Sequence, residues 1–191
     1  MKQKMFLLAL MVVIMSSLWS QYGGEGVFVK ITSVEEIVNG YYVVAQDNSS
    51  NVMGPFYNTN TSGTNYLTRV VFARDEFGDY VNPATNTVWI IEKLENGNYS
   101  FFSETEGVYI GSVNPGSNNV AHPTTSAENN NSQWVITLNN GLFDVQNVAT
   151  STRFLRYNAT GGQERFSTYT TVQNRLAFYK LQGEVVPIPS I

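Results

Sequence analysis

Few side chains in this sequence are equipped for acid–base or covalent chemistry. There is one histidine, His122, and no cysteine. A catalytic histidine needs a carboxylate to orient it and a nucleophile beside it. His122 stands before Pro123 in a Pro/Thr/Asn-rich stretch with no acid close by, and reads as an exposed loop residue. Glu104 and Glu106 could be imagined as a glycosidase pair, but such carboxylates normally face a cleft from separate elements. Two acids flanking one turn read as solvated. Asp47-Asn48-Ser49-Ser50-Asn51 begins like a calcium loop, yet it has one carboxylate and lacks the glycine and distal glutamate of such a site. The acids of Asp75-Glu76-Phe77-Gly78-Asp79 likewise read as a solvated turn. No metal, no cofactor and no catalytic activity are expected.

The chain is better equipped to bind. Aromatic residues make up 13% of it, more than the core pattern requires. Tyr57, Tyr66, Tyr80, Tyr157 and Tyr169 fall at strand ends or in polar segments. A tyrosine ring stacks on C–H groups while neighbouring amides and guanidiniums meet hydroxyls, which is the chemistry of carbohydrate recognition. Asp47 and Asn48, with Arg156, Tyr157 and Asn158, are the candidate rim of such a site.

Strands and turns must position these groups. The sequence is rich in Asn, Thr, Ser, Gly, Tyr and Phe and poor in helix formers, which predicts an all-β fold. One phrase recurs: an apolar strand, an Asn-Gly pair, an alternating strand and a short apolar pair. It is read at Val29-Lys30-Ile31 with Asn39-Gly40, at Trp89-Ile90-Ile91 with Asn96-Gly97, and at Trp134-Val135-Ile136 with Asn140-Gly141. Gly40, Gly97 and Gly141 stand 57 and 44 residues apart, and Tyr42, Tyr99 and Phe143 follow them by two. Each Asn-Gly pair is expected to close a type I′ hairpin, whose central residues both need positive φ. Arg165 to Tyr169 and Leu176 to Leu181 alternate cleanly and read as the last two strands. Repeats of this length indicate a repeated architecture, here three units of strand–turn–strand closing into a barrel. Trp89 and Trp134 hold equivalent places and read as core pillars.

With Gln133-Trp134-Val135-Ile136, Val88-Trp89-Ile90-Ile91 and the Asn-Gly-x-aromatic turns, the segment Val27 to Leu181 resembles a β-trefoil. More loosely it is similar to the ricin-B-like (Gln-x-Trp) carbohydrate-binding lectins. The resemblance implies a lectin-like, carbohydrate-binding fold. It also implies a sugar-binding Asp after the third strand of each unit, where this chain has Gly54, Gly111 and Arg156.

The ends set the context. Lys2 and Lys4, the apolar run Met5 to Met15, and Ser16 to Ser20 read as a signal peptide over residues 1–20. The run is shorter than the ~20 residues that span a bilayer, so no membrane association is expected after cleavage, and the destination is extracellular or cell-surface. Losing two lysines and no acids takes the net charge from −4 to −6. A mildly acidic chain without clustered cations argues against nucleic acid as a partner. A glycan or polysaccharide is the expected partner, with other extracellular proteins as the alternative. That alternative is a protein-interaction or protease-inhibitor module using the long polar loop Val113 to Ser132. A third reading is a structural spacer, suggested by the Pro-containing linker stub over 182–191.

Overall fold

The structure is a computed structural model that describes residues 21–58, 65–112, 119–170 and 173–183. Residues 1–20, read above as a signal peptide, and the tail from 184 onward lie outside the described residues. The chain begins with β1 (Val27–Lys30), β2 (Gly40–Gln46), β3 (Asn51–Phe56), β4 (Leu67–Val71) and β5 (Tyr80–Val81). A second group follows as β6 (Val88–Lys93), β7 (Tyr99–Ser103), β8 (Val108–Gly111) and β9 (His122–Thr124). The last strands are β10 (Trp134–Asn139), β11 (Leu142–Asn147), β12 (Phe154–Asn158), β13 (Arg165–Tyr169) and β14 (Leu176–Leu181).

Six of these strands close on themselves. β14 pairs with β2, β2 with β6, β6 with β7, β7 with β10, β10 with β11, and β11 returns to β14, all antiparallel. The hairpins β3–β4, β8–β9 and β12–β13 hang from this ring. The register is threefold: Tyr42 faces Trp89, Tyr99 faces Trp134, and Phe143 faces Leu176. Leu176 therefore holds the place that tryptophan holds in the other two units.

The barrel core is built in layers from the same register. Tyr42, Tyr99 and Phe143 form one set, Val44, Phe101 and Val145 the next, and Ile91, Ile136 and Phe178 a third, all buried together with both tryptophans. Each indole N–H reaches the third strand of the preceding unit, Trp89 donating to Met53 O at 3.2 Å and Trp134 to Ile110 O at 3.1 Å. The tryptophans are the pillars their spacing indicates.

Two expectations about the units are corrected. The first strand of the first unit is β14, not the segment at Val29, because β2 pairs along its length with β14 while β1 lies outside the ring against β14. Pairing residue 46 with residue 176 closes the barrel through its two ends. The Asn-Gly turns also differ from one another. Asn140 (φ 53°) and Gly141 (φ 78°) form the type I′ turn. At Asn96-Gly97 only the glycine has positive φ, and the loop is longer, with Leu94 N–H donating to Asn98 O. Asn39-Gly40 closes no hairpin, since the strands around it do not pair with each other.

A second apolar layer covers part of the barrel's outer wall. Tyr22 and Phe28 from the N-terminal arm and Tyr80 from β5 pack over Tyr41, Val43, Ala45, Val88, Ile90, Ala177 and Tyr179. This explains why Tyr41-Tyr42-Val43-Val44-Ala45 is apolar without a break: β2 is buried on both faces. The extra length between the first two units supplies β5 and the Asp75 turn, where the carboxylate accepts N–H groups of Phe77 and Asp79.

Candidate functional site

The outer wall can be compared at its three equivalent junctions. In the first, Val43 faces Val88 under the N-terminal arm, and Tyr41 OH donates to Glu104 at 3.3 Å. In the second, the corresponding pair is Ser100 and Gln133, both buried. Gln133 Oε1 accepts from Asn96 and Asn98, each at 2.9 Å, and its amide donates to Ala127 O and Glu128 O. The first junction is covered, while beside Gln133 at the second a cavity of about 370 Å³ is lined by Leu94, Glu95, Asn96, Ala127 and Glu128. In the third, the register brings Asp144 to Arg175, and Arg156 closes on Asp144.

Here the structure has a cavity of about 490 Å³. The end of β2 supplies Gln46 and Asp47, β11 supplies Leu142, and β12 supplies Arg156. The connector into β14 adds Gln173, Asn174 and Arg175. Asn174 is fixed by an antiparallel bridge to Tyr157, with backbone hydrogen bonds of 2.9 and 3.1 Å. Strand alternation produces the arrangement: Phe143 and Val145 point into the core, so Asp144 between them faces outward. Asp144 binds the Arg156 guanidinium through one oxygen and Arg175 Nε through the other at 2.9 Å. It also accepts from Asn139 at 3.2 Å. Arg156 lies 5.0 Å over the Phe154 ring. Burial draws its pKa below the usual guanidinium range, Asp144 opposes that, and Arg175 adds to it. On the other wall, Asp47 accepts from Lys30 Nζ at 2.5 Å and from Asn48 at 3.1 Å.

The cavity thus offers hydrogen-bond donors from guanidiniums and amides, one acceptor carboxylate and an apolar patch. Among the described residues no group of three or more His, Asp or Glu side chains could hold a metal ion.

Of the residues singled out from sequence, Asp47 and Arg156 meet in this cavity although 109 positions separate them. Asn48 stands beside Asp47, exposed, with φ 49°. Tyr157 is a correction: it is 1% exposed, packed on Phe166, and has no free ring face. Asn158 is a second, since it is buried and its side chain accepts from Thr160 N in its own turn. Tyr80 and Tyr169 are also buried. Tyr57 alone of that group is well exposed, at 64%, with its ring stacked on Tyr66 at 4.7 Å and Arg165 over the Tyr66 ring. Sequence reasoning missed Asp144, Arg175, Gln173 and Asn174. An acid between Phe143 and Val145 was the available signal for the first.

The acids and the histidine set aside at the sequence level are more embedded than expected. Glu106 accepts the Phe56 N–H at 3.2 Å, and burial raises its carboxyl pKa. His122 is 7% exposed in β9, and burial lowers its pKa from about 6.5. The segment around it is not open, because Ser167 and Thr168 of β13 donate to Asn119 O and Val120 O. Residues 113–118 lie outside the described residues. A folded-state pKa below the unfolded value means that the unfolded chain takes up the proton first. Stability is therefore lost as pH falls below about 6.5. Glu106 and Asp79, with raised pKa values, act with the opposite sign toward 4.5 and 3.8. The melting temperature is expected to fall between pH 7 and pH 5, and to fall less in His122→Gln; equal falls in both proteins would remove His122 from the account.

The structure has relatives. The Polyporus squamosus lectin, solved with a Neu5Ac-containing epitope, superposes with a TM-score of 0.57 at 16% identity over 75% of this chain and 49% of its own. The BEL beta-trefoil matches at 0.53 and 14% identity, over 74% of this chain and 92% of its own. This chain is a β-trefoil. SeviL, solved with asialo-GM1 saccharide, shares the trefoil at a TM-score of 0.51 and 12% identity, over 75% of this chain and 98% of its own. The chain spans about half the length of the Polyporus squamosus protein. No protein-family model and no curated protein sequence matches this trefoil.

Proposed function

We propose that this protein is a secreted, non-catalytic glycan-binding module, and that the glycan enters the cavity at the third junction. The observation that carries this reading is the lining of the cavity at the third junction, which gathers two guanidiniums, a carboxylate and amides as neither equivalent junction does. The first is covered by the N-terminal arm, and the second keeps a cavity of about 370 Å³ beside Gln133, whose Oε1 is taken by Asn96 and Asn98, while the third is lined by Asp47, Gln46, Asn174 and two arginines. A carboxylate, amides and guanidiniums around a small apolar patch suit a ligand that is mostly hydroxyl groups. The trefoils superposed above include two solved with saccharides, which supports the class of ligand. Residues 1–20 support export.

A glycan array probed with the purified protein tests the reading. Retention is expected on a subset of glycans, and Asp47→Ala with Asn174→Ala should weaken it by about tenfold, as for loss of charged hydrogen bonds, at an unchanged melting temperature. No retention on any glycan, or retention unaltered in the double variant, would overturn it.

A further inference from the structure

The two arginines at the cavity are under-used by the protein. A guanidinium carries five N–H donors. Arg156 donates to Asp144 through Nη2 and Arg175 through Nε, and among the described residues no other acceptor takes their remaining N–H groups. Both side chains line the cavity, with side-chain exposures of 12% and 37%. Asp144 sits between them and holds both planes in place. Two guanidiniums share one carboxylate, leaving one positive charge over, while Lys30 balances Asp47. A cavity with surplus cationic charge is unusual in a chain of net charge −4.

We infer that the ligand is a sugar acid: its carboxylate takes the free N–H groups of Arg156 and Arg175, and its ring hydroxyls meet Asp47 and Asn174. Paired planar donor forks match a carboxylate, and such charge-assisted bonds are short and strong. The neutral amides and Asp47 supply the complementary recognition of hydroxyls on the same ring. This inference rests on the glycan-binding reading and narrows it.

The test uses the purified protein against a panel of oligosaccharides in matched pairs. Each pair is a uronic- or sialic-acid-terminated glycan and its methyl ester, with neutral and sulfated oligomers alongside. An acid is expected to bind about tenfold or more tightly than its ester. That preference should fall with rising salt and nearly vanish in Arg175→Gln, whose side chain is partly exposed so that folding is preserved. Equal affinity for acid and ester, or retention of neutral glycans alone, overturns the inference and leaves the glycan-binding reading standing. Tighter binding of sulfated oligomers overturns the carboxylate assignment, and so does an acid preference that survives in Arg175→Gln. Binding to nothing on the panel overturns both.

Discussion

Replacing Trp134 with alanine is expected to cost about 3–5 kcal/mol of folding stability. The indole is fully buried, packs edge-on against Phe101 at 6.3 Å and donates to Ile110 O at 3.1 Å. Its removal leaves a cavity between two units and an unpaired carbonyl in the third strand of the second. Domains of this kind have only about 5–15 kcal/mol in total, so the variant should be near the edge of folding. The equivalent change Leu176→Ala should cost less, because a leucine has no indole hydrogen bond to lose. Urea titrations of the two variants check the order; a Trp134→Ala protein as stable as Leu176→Ala would mean the threefold packing has been misread.

The second large effect is at Asp144. Its side chain and that of Arg156 are each 12% exposed, and truncating one partner leaves the other charge buried alone. Asp144→Ala is expected to lose on the order of 3 kcal/mol. Arg175, at 37% side-chain exposure, contributes little to that figure. The double variant Asp144→Ala, Arg156→Leu should regain much of the loss, since no buried charge is then left unpaired. Simple addition of the two single losses would show that the pair is not coupled. Both variants should lose the glycan preference assigned to the cavity.

The parts of the fold legible in the sequence are those carried by local pattern. The tryptophans, the aromatics after each glycine and the strands Arg165–Tyr169 and Leu176–Leu181 follow from alternation and spacing. The identity of the first unit's opening strand was not legible, because pairing Ala45 with Ala177 is a contact between the chain's two ends that no local pattern encodes. Val29 also lies near an Asn-Gly pair and so imitates the repeat. The outer layer was visible in principle. Five consecutive buried residues, Tyr41 to Ala45, cannot belong to a strand with one wet face.

At the site, residue chemistry was readable and exposure was not. Arg156 was singled out with its neighbours Tyr157 and Asn158, yet alternation after Leu155 puts Tyr157 on the core side and Arg156 on the outer side. Asp47 was found through its turn. Asp144 and Arg175 escaped because each looks ordinary in its own segment, and they become a pair only through the register that joins β11 to β14.

The central claim is that the cavity at the third junction is where a glycan binds. Its most direct test is an NMR titration of the purified protein with the best-retained oligosaccharide, following the Arg Nε–H signals together with backbone amides. The account predicts saturable shifts at Arg156, Arg175, Asn174 and Gln46, with the equivalent positions at Val88 and Gln133 unmoved. Shifts centred on the exposed Tyr57–Tyr66 stack, with the arginines of the cavity silent, would contradict it.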